Sequence, residues 1–115
     1  MRVENLMQNK SKLIRMGLYP DNPALLRQWL NQEPKEMADE ASRTAHYEQQ
    51  FELLLATVMD SKVAKQWRIS CLDQIFQPIR TLQSWKNSDL SAEAVSRMLQ
   101  LLSVNRTTIE NELYL

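Results

Sequence analysis

A chain of 115 residues with 14 basic and 14 acidic side chains has the length of one domain, and its neutrality argues against a nucleic-acid backbone as its main partner. The 43% apolar content suffices for a core without metal or disulfide staples, and no apolar run approaches the ~18 residues of a membrane span. One glycine stands where about eight are usual, which excludes tight hairpins, phosphate-cradling loops and dinucleotide fingerprints. With Leu, Gln, Glu, Ala, Met, Arg and Lys dominating the remainder, the expected fold is all-α.

Val3, Leu6, Met7, Leu13 and Ile14 recur at helical spacing and predict a first helix over 3–16, with Gly17 at its C′ position. After a turn, Asn22-Pro23 reads as a cap and a proline at N1. The short second helix, about 23–32, carries Leu25, Leu26, Trp29 and Leu30, and Pro34 closes it. A third helix over about 35–59 follows the stripe Met37, Ala41, Ala45, Phe51, Leu55 and Val58, with Glu36, Asp39 and Glu40 complementing its dipole. The longest stripe, from Val63 and Trp67 through Cys71, Leu72, Ile75, Phe76 and Ile79 to Leu82, predicts a fourth helix over 61–86. Pro78 should kink it, with a break near Gln77 as the alternative. Ser91 is expected to cap a fifth helix, with Leu90 and Val95 as its hydrophobic staple and Val95, Met98, Leu99 and Leu102 buried. A turn at Ser103-Val104-Asn105 then leads to a last helix with Ile109 and Leu113.

Residues 33–60 carry seven acidic and two basic side chains, and residues 61–86 carry one acidic and five basic. Two long consecutive helices of opposite sign predict an antiparallel hairpin, 35–59 against 61–86, at the centre of a bundle of five to six helices. No repeat or linker divides the chain, so residues 1–115 are read as one domain.

Catalytic chemistry has few carriers here. His46 is the only histidine and stands beside no serine or cysteine motif, so it reads as structural. Cys71 lies on an apolar stripe with Trp67 four residues before it, and reads as core. No metal-ligand spacing occurs, and Glu33, Glu36, Asp39 and Glu40 read as a solvated helix start. No catalytic residue, cofactor or metal is therefore expected. The polar N-terminal run MRVENLMQNKSK is unlike a secretory leader, and a lone cysteine suits a reducing compartment; both point to the cytoplasm, with no membrane partner.

Three features carry binding readings. Residues 95–113 resemble a helix-turn-helix, in which Arg97 meets phosphates while Arg106, Thr107 and Asn111 face bases; Glu110 and Glu112 oppose that reading. The basic and aromatic flank from Lys62 to Lys86, with Trp67 and Trp85, reads first as a solvated face. Three Trp and six Met are a surplus of large apolar side chains for a thin bundle. Trp29, Leu30, Leu53, Leu54 and Trp85 are accordingly the residues expected to meet a partner. The favoured function is a non-enzymatic protein-interaction module: a regulatory adaptor, an assembly factor or a small chaperone of the export type, with a second copy among its candidate partners. A DNA-binding regulator using residues 95–113 is the alternative.

Overall fold

The computed structural model describes residues 3–31, 39–85 and 88–114, with side chains from residue 10 onward. Those residues form six α-helices and no strand: α1 (Val3–Met16), α2 (Pro23–Leu30), α3 (Glu40–Val58), α4 (Lys65–Gln74), α5 (Phe76–Gln83) and α6 (Asp89–Leu113). The all-α expectation holds. The molecule is a slab of 40 × 39 × 17 Å, about two helices thick.

Gly17 ends α1 as its position predicted. At φ +62° it lets the Gly17 N–H donate to the Ile14 carbonyl (3.1 Å) and the Leu18 N–H to that of Leu13 (3.2 Å), the Schellman pair. Pro23 opens α2 at N1, although the Asn22 side chain makes no capping bond and α2 stops at Leu30 rather than 32. Pro34, Met37, Glu33 and Glu36 lie outside the described residues.

At α3 the expected stripe is corrected. Ala41 and Ala45 are exposed; the buried side runs through Thr44, Phe51, Leu54, Leu55 and Val58. A reading confined to apolar residues passed over Thr44, whose hydroxyl is buried 3.4 Å from the Ser91 hydroxyl. Asp39 is the N-cap: its carboxylate accepts from the Ser42 N–H at 2.7 Å and the Ser42 hydroxyl at 3.1 Å. That backbone bond, before all else, holds the Asp39 carboxyl below its ordinary value.

The expected helix over 61–86 is two helices. It starts at Lys65, not Ser61, and is interrupted at Ile75, whose N–H reaches only three residues back, to Leu72. Placing the break there puts Pro78 in the first turn of α5, where a missing N–H has no intrahelical partner to lose. The apolar series nevertheless continues across the break, with Trp67, Cys71, Ile75, Ile79 and Leu82 all buried. α3 packs against both α4 and α5.

α6 differs most from expectation. Its cap is Ser88, whose Oγ accepts from the Ser91 N–H (3.1 Å); Ser91 is instead buried within the first turn. The Ser88 hydroxyl donates to the Glu40 carboxylate and so joins the starts of α3 and α6. Leu90 and Leu99 are exposed, and Leu90 lies within the first turn of α6 instead of ahead of its cap, where a staple would stand. The turn at 103–105 is absent. One helix runs unbroken from Asp89 to Leu113, and the Asn105 side chain donates to the Leu101 carbonyl (2.8 Å) within that helix instead of capping a new one. α6 runs alongside α3 in the same direction. Glu48 meets Arg97 midway, and at the far end Arg68 donates to the Val58 carbonyl (2.7 Å) and to Glu112 (2.9 Å). Arg68 is buried, with its charge answered by Glu112 and a carbonyl left over at the end of α3.

Candidate docking groove

The residues nominated for a partner surface are largely core. Leu54 is fully buried, Trp29 and Leu30 are buried, and Leu53 and Trp85 are half-buried against the same cluster. Trp29 donates its indole N–H to the Ser11 hydroxyl (3.1 Å), tying α2 to α1. Trp29 and Leu30 are thus taken up within the chain, because α2 folds onto α1 and α4.

The four residues of the helix-turn-helix reading do not assemble. Without a turn there is no recognition helix to set against a first one. Arg97 is held by both oxygens of Glu48 (2.9 and 3.1 Å), which raises its guanidinium above its ordinary value; Arg106 is held by Glu110 (2.8 Å) with the same effect. At about 100° per residue Arg97 and Arg106 stand on opposite sides of α6. Thr107 and Asn111 are exposed on it.

Proton-handling groups are equally built in. The His46 ring meets Tyr47 edge-on (centroids 4.9 Å apart), Tyr47 meets Trp85 edge-on (5.5 Å), and the Arg43 guanidinium lies 4.9 Å from the Trp85 ring centre. His46 Nε2 is 3.4 Å from the Gln50 amide nitrogen. This cluster packs α3 against the end of α5. Cys71 is fully buried, and burial pushes its thiol up to about 12. At about pH 8 the thiolate fraction is then only about one in ten thousand. Native protein should therefore react with an aromatic disulfide reagent orders of magnitude more slowly than protein in denaturant. Comparable rates in the two conditions would place Cys71 at the surface. Among the described residues no group of His, Cys, Asp and Glu side chains is arranged to hold a metal ion, and no helix is long and apolar enough to cross a membrane.

Besides a smaller hollow of about 140 Å³ between α2 and α4, the seam where α6 meets α5 and the end of α4 is open. Near its Trp85 end is a hollow of about 310 Å³ lined by Leu82, Gln83, Trp85, Ser88, Ala92 and Val95. Near the Tyr114 end is a second of about 310 Å³, lined by Leu72 and Phe76 on one wall and by Leu102, Ser103, Arg106, Ile109, Glu110 and Tyr114 on the other. The α6 residues lining both fall on one side of that helix at its helical pitch, with exposed Leu99 between them. Phe76 is 45% exposed and Tyr114 61%, large values for aromatic side chains beside an apolar floor. Arg106 and Glu110 pair on the rim, so the mouth is polar and the floor apolar.

Sequence reasoning missed this seam because it placed Phe76 and Leu99 in the core. A signal was present in the adjacent pairs Cys71-Leu72 and Ile75-Phe76: at about 100° per residue two neighbours cannot both face the centre of one stripe, and Leu72 and Phe76 are the outer members. No family model, curated protein or solved structure matches the chain.

Proposed function

We propose that this protein is a non-enzymatic interaction module that holds the apolar face of an amphipathic helix from another protein in the α5–α6 seam. The observation that carries the reading is the pair of equal hollows on one side of α6, bridged by Leu99 and flanked by Phe76 and Tyr114. Val95 in one and Leu102 in the other are seven residues apart, about 10 Å along the helix. Two large apolar side chains spaced i, i+7 on a partner helix match that distance. Adaptor, assembly-factor and chaperone roles in the cytoplasm all use surfaces of this kind, and none needs a reactive side chain. In the same reading, α3 against α4–α5 is the scaffold, an antiparallel hairpin interrupted at Ile75.

Affinity capture from the native lysate tests this when wild-type protein is compared with Phe76→Ser, Leu99→Glu and, as a control off the seam, Val104→Glu. A partner whose affinity falls at least about tenfold in both seam variants and is unchanged in the control supports the reading. Retention by both seam variants, or equal loss in the control, defeats it. Sedimentation velocity addresses a second copy: a mass that rises with concentration in wild type but not in the seam variants would assign the seam to self-association and overturn the partner helix.

A further inference from the structure

The corner where α1 meets α2 presents Met16 (50% exposed), Leu18 (52%) and Tyr19 (55%) together, which is the opposite of what burial favours for such side chains. Gly17 sets their placement, because the chain reverses there against Val63 and Trp67. The neighbouring elements place three exposed lysines near this apolar tip. Lys12 precedes Met16 by one helical turn, and Lys62 and Lys65 flank Val63 on the adjoining loop and the first turn of α4. Gln66 ties the two elements together by donating to the Pro20 carbonyl (3.0 Å) and to Asp21 (2.6 Å).

Two acids also stand at this corner, of which Asp60 is paired with Arg15. Asp60 accepts from Arg15 (2.8 Å) and from the Lys62 N–H (2.9 Å), and Asp21 accepts from Gln66. Among the described residues, the ammonium groups of Lys12, Lys62 and Lys65 make no ion pair. An exposed tip of Leu, Tyr and Met beside Lys12, Arg15, Lys62 and Lys65, against only Asp21 and Asp60 among the described residues, matches an anionic lipid surface: the apolar tip enters the interface and the lysines reach phosphate.

We infer that this corner, Met16, Leu18 and Tyr19 with Lys12, Lys62 and Lys65, docks the protein reversibly onto anionic membrane surfaces. The inference departs from the expectation of no membrane partner, which rested on the lack of a spanning segment. It is independent of the α5–α6 seam.

Cosedimentation with vesicles tests it, using phosphatidylcholine alone and phosphatidylcholine with roughly a quarter phosphatidylserine. Wild type should pellet with the anionic vesicles and not the neutral ones, and the bound fraction should fall as salt rises from about 50 to about 300 mM. Each lysine contributes about fivefold, so Lys62→Glu with Lys65→Glu should weaken partitioning at least about tenfold. Leu18→Ser with Tyr19→Ser should also weaken it while leaving the salt dependence in place. All these side chains are exposed, and circular dichroism verifies that the variants fold. Phe76→Ser should bind vesicles as wild type does, which separates this result from the seam. Absence of binding, equal binding to neutral vesicles, or binding unaffected by the lysine reversals overturns the inference. Binding to polyglutamate without binding to vesicles overturns it in favour of an acidic macromolecule.

Discussion

Gly17→Ala should lower the stability of the protein by roughly 2–4 kcal/mol, a large share of the 5–15 kcal/mol of a typical domain. Two effects add. At φ +62° an L-residue is in the left-handed region, which costs about 1–2 kcal/mol. A Cβ there would also lie 2.7 Å from Val63 Cγ1 and 2.9 Å from Trp67 Cδ1. Neither neighbour is a loose end. Trp67 is fully buried, and its indole N–H donates to the Ile14 carbonyl at 2.8 Å, so moving the ring would break a buried bond in the last turn of α1. Urea unfolding of Gly17→Ala and Gly17→Asn separates the two effects. Asparagine tolerates the left-handed region but still carries a Cβ, so it should fall within about 1 kcal/mol of alanine if the clash dominates. An asparagine variant as stable as wild type would show that the Val63 and Trp67 contacts have room to give.

Val104→Pro should cost about 3 kcal/mol or more, whereas Val104→Ala should change stability by less than about 0.5 kcal/mol. Val104 is 73% exposed, so no packing is at stake and only the backbone decides. In an unbroken α6 the proline removes the N–H that donates to Gln100 and drives its ring into that carbonyl. Both flanks of the helix are anchored, by Met98 before it and by Ile109 and Leu113 after it, so the break cannot be absorbed by fraying one end. A turn at 103–105 would accommodate the same substitution with little loss. A proline cost below about 1 kcal/mol, read from urea unfolding, would therefore restore the two-helix reading.

The continuity of α6 was partly legible. Ser91, Val95, Met98, Leu102, Asn105, Ile109 and Leu113 recur at intervals of three and four, and the structure places all of them on the buried or half-buried side of α6. The helix-turn-helix reading instead took Ser103-Val104-Asn105 as a turn, with Val104 beside Leu102, Ile109 and Leu113 as the motif's apolar positions and Asn105 as the cap of its second helix. Moving one position, from Val104 to Asn105, turns two helices into one, and an asparagine is easily read as punctuation. The break in the other long segment was harder. Pro78 announced an interruption, but its position followed from the proline's fit in the first turn of α5, which places the break three residues earlier at Ile75.

The amino-acid sequence by itself determined the helical class, the end of α1 at Gly17, the proline start of α2, and the burial of Trp67 and Cys71, because each follows from local backbone rules or from a stripe long enough to have one buried side. Only the tertiary structure decided that Trp29, Leu30 and Leu54 are core while Phe76, Leu99 and Tyr114 are exposed. The physical reason is that periodicity marks an apolar side of a helix but not how far its neighbours reach around it. In a slab about two helices thick, the flanks of α5 and α6 are only partly covered, and there the seam opens.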